Sequence, residues 1–188
     1  MARDLAFGLK TPRDLLEKAR REVGRLRQRP IAIVAGLYND EHETIDQAIN
    51  AAISLWHIID WLANSSLSGT AALVEHAKQV SGTLKTNRYG VLRDFALQNA
   101  DLAICHDLAN GSKHLELDNP QVTQPAGYGS IGSPGTPKTI EALASAPAGN
   151  LQRFVAKVVM PNGHRVPALD IYDRALMFWD DLFVRYRL

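Results

Sequence analysis

Along most of this chain apolar residues recur every three or four positions, and they alternate only near its end. The first such stretch follows Thr11-Pro12, a capping hydroxyl ahead of a proline at a first helical position. Leu15, Leu16, Ala19, Val23 and Leu26 then make one stripe, which predicts a helix from there to about Arg27, closed before Pro30. A short apolar run, "IAIVAGLY", leads into a longer helix predicted over 40–64. Its dry stripe is Ile45, Ile49, Ala52, Trp56, Ile59 and Ala63. A second stripe beside it, Asp46, Asn50, Ile53, His57, Asp60 and Asn64, is mostly polar although it abuts the core face. "SGTAALVEHAKQVSG" predicts a shorter helix between glycines.

The stretch from Thr86 to Leu117 reads as one long helix. Leu92, Phe95, Leu102 and Ala109 form its core stripe, Asn99, His106 and Lys113 share one heptad line, and Asp107, Asn110 and His114 lie on the next. Gly111 costs roughly 1 kcal/mol inside a helix, so an end or bend is expected there.

From Asp118 to Asn150 the pattern stops, and five of the 13 glycines and five of the nine prolines crowd into it. This predicts a loop, with a short helical turn at 139–146. Within it Gly127, Gly129 and Gly132 fit the G-x-G-x-x-G dinucleotide pattern by letters. No strand precedes them and prolines rather than a helix follow, so no cofactor is expected. Alternation then appears: 153–160 is β-branched and apolar, Asn162-Gly163 predicts a type I′ turn, and Pro167 marks the end or edge of the return strand. A last helix, expected to be capped by Asp170, carries Ile171, Ala175, Phe178, Trp179, Leu182, Phe183 and Tyr186. It is apolar on more than one side, which predicts a two-fold homodimer. The expected fold is mainly α and a single domain over 1–188. It comprises a helical bundle over 11–117, a Gly/Pro-rich loop over 118–150, and a β-hairpin with a closing helix over 151–188.

A chain of 188 residues can bury one good core. With a net charge of +1, bulk charge does not make it a polyanion binder, although Lys10 to Arg29 holds eight basic and three acidic residues. That local excess is either a solvated helix face or a surface turned to phosphate. The lone Cys105 excludes an internal disulfide framework and reads as a small core residue. "MARDLAFGLKTPRD" has no signal-peptide apolar core, and "AINAAISLWHIIDWLA" is too polar to span a membrane, so a cytoplasmic protein is expected. His76 and His164 are lone histidines expected at the surface.

Chemistry concentrates on the two long helices. If their polar stripes face each other, His57 and Asp60 meet members of the set His106, Asp107, Asn110, Lys113 and His114. One reading is structural, a hydrogen-bonded network that fixes packing register. A metal site would use the His57/Asp60 spacing with Glu41, His42, Glu43 and Asp46. Yet no Glu-x-x-His pair occurs, and adjacent Cys105 and His106 point about 100° apart on a helix, so no metal is expected.

The third reading is an RNA site. A helical bundle bearing Asn110-Gly-Ser-Lys113-His114 near the end of a long helix resembles the HEPN superfamily over about residues 40–117. Many members of that superfamily resemble RNA-cutting toxins or defence proteins. The resemblance implies a prokaryotic-type defence or stress module acting on RNA. It departs from the family's arginine with four to six residues between it and a histidine: no arginine holds that place before any of the six histidines, and 107–109 read Asp, Leu, Ala. Metal-free RNA cleavage needs a base for the 2′-hydroxyl, an acid for the leaving oxygen and a cation for the phosphate. His114 or His106 would be base or acid, Lys113 would hold phosphate charge and Asn110 would position it. His57 and Asp60 would bind substrate, with Asp60 orienting His57. The alternative is a non-catalytic interaction protein whose polar core only fixes packing.

Overall fold

The computed structural model describes residues 8–28, 40–111, 139–148 and 151–188. Among these are six helices and a three-stranded sheet: α1 (Pro12–Gln28), α2 (Asp40–Ala63), α3 (Ser68–Ser81), α4 (Arg88–Ala96), α5 (Ala100–Gly111), β1 (Thr139–Ala148), β2 (Leu151–Val159), β3 (Arg165–Pro167) and α6 (Ala168–Arg185). The architecture is the expected one, mainly helical with a C-terminal antiparallel hairpin and a closing helix.

α1 starts where Thr11-Pro12 predicts. The Asp14 N–H donates to Thr11 Oγ1 (3.1 Å) and the Thr11 N–H donates back to Asp14 Oδ2 (2.8 Å), a reciprocal box that satisfies donors the first turn leaves open. Its predicted stripe is buried in full. Three basic residues of α1 lie along a seam with α6 and the residues that follow it. Arg20 pairs with Asp180 and Arg27 with Asp173, while Arg13 donates to the Leu188 carbonyl (2.8 Å) and lies over the Phe183 ring. Lys18 and Arg25 pair with Glu22. Five of the six basic residues of α1 therefore have partners within the fold, although only two of the five excess charges are offset by carboxylates from outside the segment.

α2 is the central helix, buried along Ala48, Ala51, Ala52, Leu55, Trp56, Ile58, Ile59 and Leu62; of the expected dry stripe only Ala52, Trp56 and Ile59 are buried, while Ile45, Ile49 and Ala63 are half-buried, so the core face is shifted from the expected one. Two hydrogen bonds from α6 reach its backbone: Tyr172 Oη donates to the Ala48 carbonyl (2.9 Å) and Trp179 Nε1 to the Leu55 carbonyl (3.0 Å). Seven residues separate the partners on each helix, so α2 and α6 run in the same direction.

Four expectations need correction. The helix expected from Thr86 to Leu117 is two helices. The chain turns over 97–99, and Asn99 Oδ1 accepts from the Asp101 and Leu102 N–H groups (both 3.0 Å), capping α5. The turn expected at 139–146 is strand β1, antiparallel to β2 with Thr139 opposite Val159 and a register shift between Ser145 and Ala148, where Pro147 falls. The Asn162-Gly163 turn is not type I′, which needs positive φ at both residues. Only Gly163 (φ 81°) has it, because Pro161 holds the preceding position at negative φ; the Gly163 N–H donates to the Met160 carbonyl (2.8 Å). Finally, α6 begins at Ala168 with no side-chain cap, leaving Asp170 in its first turn.

The sheet order is β1-β2-β3, with Pro167 on the edge strand, and Ala156 and Val158 of β2 are buried. Gly69 permits a close approach: a Cβ there would lie 1.8 Å from the Tyr186 carbonyl oxygen, so any side chain would push the start of α3 off the end of α6. The expected loop over 118–138, with its glycine pattern, lies outside the described residues.

Candidate functional site

α5 is the most enclosed polar helix of the fold, with every residue from Leu102 to Ala109 buried. Among these are His106, 5% exposed, and Asp107, 2% exposed. Burying such groups is costly unless their hydrogen-bonding capacity is used internally. Here the imidazole is held at both nitrogens. Nδ1 lies 2.9 Å from Asp107 Oδ1, and Nε2 lies 2.8 Å from Asn110 Nδ2. A carboxylate only accepts, so Nδ1 carries the proton and donates, while Nε2 accepts from the Asn110 amide. The neutral Nδ1–H tautomer satisfies both contacts. Trp56 of α2 closes the group, its ring centroid 4.5 Å from the imidazole and inclined at 74°.

His106 and Asn110, two of the predicted site residues, are thus brought together, and their i, i+4 spacing is the signal that finds them. Asp107 and Trp56 complete the group. Lys113 and His114 lie outside the described residues, as do the side chains of Glu41 and His42. His57 is half-buried on α2, beside Trp56 in sequence. Among the described residues no group of three or more His, Cys, Asp or Glu side chains is arranged to hold a metal ion. Cys105 is fully buried, which pushes its thiol far above the ordinary range and keeps it a core residue. His76 is not the plain surface residue expected; its ring lies 5.7 Å from that of Phe95 and 5.8 Å from that of Tyr186. His164 is exposed as expected.

Asp60 takes part in a second polar region. It lines a cavity of about 510 Å³ where the end of α2 meets the beginning of α1. The walls are Lys10 to Pro12 on one side and Asp60, Trp61 and Asn64 to Leu67 on the other. The Asn64 amide donates to the Asp60 carbonyl (2.8 Å), closing the last turn of α2, and Arg88 donates to the Ser65 carbonyl (3.1 Å). Burial and then the charge of Asp60 raise the pKa of the Tyr89 phenol, tying α4 to this region. Sequence reading names Asp60 but not this cavity, because its two walls are distant along the chain.

Comparison with known proteins yields no match: no family model, no curated protein and no solved structure matches the chain.

Proposed function

We propose that the chain is a HEPN-like helical protein that acts on RNA, with the buried His106 group as the support of the site rather than its reacting edge. The observation that carries this reading is the imidazole clamped by Asp107 and Asn110 in the last described turn of α5, immediately ahead of Lys113 and His114 in sequence. A buried polar group can often be replaced by apolar residues with no loss of stability, so its presence calls for a specific role. Holding α5 in one orientation is such a role. His114 then serves as the base or acid and Lys113 holds phosphate charge. His106 and Asn110 act as positioning residues, and His57 and Asp60 meet the substrate. Cleavage would follow the usual metal-free course: the base removes the 2′-hydroxyl proton, O2′ bonds to phosphorus, and the acid protonates the departing 5′ oxygen.

A second reading has its own observation. The closure of the group, with both ring nitrogens used and little of His106 exposed, also suits a non-catalytic interaction protein whose polar core fixes helix register. One paired measurement separates them. On the RNA reading, His114→Ala and Lys113→Ala keep the melting temperature and lose RNA binding or cleavage. A wild-type protein that neither binds nor degrades single-stranded RNA ends that reading and leaves the second.

A further inference from the structure

We infer that the outer face of the α1/α6 pair is a docking surface for a second copy of this chain, the two copies related by a two-fold axis along the seam between these helices. The seam fixes the geometry. Arg13 meets Leu188, Arg20 meets Asp180 and Arg27 meets Asp173, so α1 and α6 are antiparallel and Gly24 stands level with Met177. Met177 and Val184 are 69% and 78% exposed. Met177 lies within one turn of both Asp173 and Asp180, and Val184 within one turn of Asp180, so both apolar side chains border the seam. Gly24 borders it in the same way from α1, between Arg20 and Arg27. An interior glycine weakens a helix. Nothing in the fold asks for this one, since a Cβ there would meet no atom within 4 Å. One surface therefore carries an apolar knob beside a notch.

A two-fold axis along the seam keeps each height and exchanges the sides, placing α6 of each copy over α1 of the other. Met177 then sits over the partner's Gly24, and the same contact recurs on the other side of the axis, as an isologous interface requires. The charges follow the same rule. Counted from the seam pairs, Asp181 lies within about two residues of the height of Arg21, and Arg185 within about two of Glu17, which is about 3 Å along the axis. All four are exposed. Across the axis Asp181 meets the partner's Arg21, and Arg185 meets the partner's Glu17. Arg21 is the one basic residue of α1 without a partner among the described residues. The two seam pairs and these four groups together carry no net charge. A polyanion or an anionic lipid surface would meet carboxylates there as often as arginines, whereas a second copy meets opposite charge at each place. The dimer expected from the apolar breadth of α6 thereby gains a definite face, independent of the function proposed above.

The test is sedimentation velocity of the full chain across micromolar concentrations, where a dimer is expected. Gly24→Leu fills the notch and should weaken association about tenfold or more. The helix content of the dilute variant, read by circular dichroism, should be retained, because open space surrounds that position. Arg21→Asp and Asp181→Arg should each weaken association. A chain carrying both changes should recover it, since opposite charges again meet across the axis. A chain that is monomeric throughout, a dimer untouched by Gly24→Leu, or a double variant no better than either single one overturns the proposal. So does a monomer that binds single-stranded RNA or phosphatidylglycerol vesicles and loses that binding in Gly24→Leu, an outcome that gives the face to that partner instead.

Discussion

Two regions of this protein are built from the same residue types and do opposite things with them. On α5, Asp107 and Asn110 stand beside an imidazole and the Trp56 ring. At the end of α2, Asp60 and Asn64 stand beside Trp61. The first group is enclosed, with the ring nitrogens answered by neighbours at 2.9 and 2.8 Å. The second opens on a cavity. Burial, not residue type, divides their roles: a closed set of partners can only hold, while an open one can exchange water for a ligand.

The largest expected effect tests the closed side of this contrast. Asp107→Ala strands the Nδ1–H of a buried imidazole and should cost about 2–3 kcal/mol, read as a lower urea midpoint with an unchanged slope. A loss below about 0.5 kcal/mol would mean that water reaches the group and would erase the distinction. Next is the support of the helix that carries it. Asn99→Ala removes the α5 cap and should cost about 1 kcal/mol, whereas Asn99→Asp should cost far less. The open side should be tolerant: Asn64→Ala, at an exposed position, should change stability by no more than about 0.5 kcal/mol. A larger loss would mark the cavity wall as structural.

The smallest effect sharpens the comparison through a third carboxylate of intermediate exposure. Burial alone would raise the pKa of Asp94. Hydrogen bonds from Lys85 Nζ and Thr83 Oγ1 (both 2.6 Å) outweigh it and hold the carboxyl below its ordinary 3.8. A depressed pKa contributes stability that is complete above the unfolded value and is lost as pH falls through the folded one. Asp94→Asn should therefore flatten the fall in stability below about pH 4 and leave its pH dependence between pH 6 and 8 unchanged. A change confined to the neutral range contradicts the assignment.

How much of this is legible in the chain depends on how local the cause is. α1 is plain because its cap, its proline and its stripe all act within one helix. The break between α4 and α5 is hidden because Leu92, Phe95 and Leu102 keep helical spacing across it, and because the capping use of Asn99 competes with its place on the His106 line. β1 is hidden for another reason. "TIEALASA" is rich in good helix formers, and it is a strand because β2 pairs with it from Ile140 to Ser145. The His106–Asn110 contact is readable as i, i+4. The His106–Asp107 contact is not, since neighbouring residues on a helix leave it in different directions. The cavity cannot be read at all, because Lys10 and Trp61 become neighbours only after α1 has docked.

The bonds from Tyr172 and Trp179 to the α2 backbone have a consequence for how the molecule is made. On a ribosome α2 emerges more than a hundred residues ahead of its partner α6. Until then the side of α2 around Ala48 and Leu55 lacks its permanent cover, and α1 lacks the carboxylates of its seam. Helices running in one direction cannot be joined by a tight turn, so everything between them must be threaded as a crossover before the two can meet. Contacts so distant along the chain slow the final step and leave greasy surface showing meanwhile. A nascent chain halted before Ala168 should thus be bound by chaperones, and release of the closing helix should end that dependence.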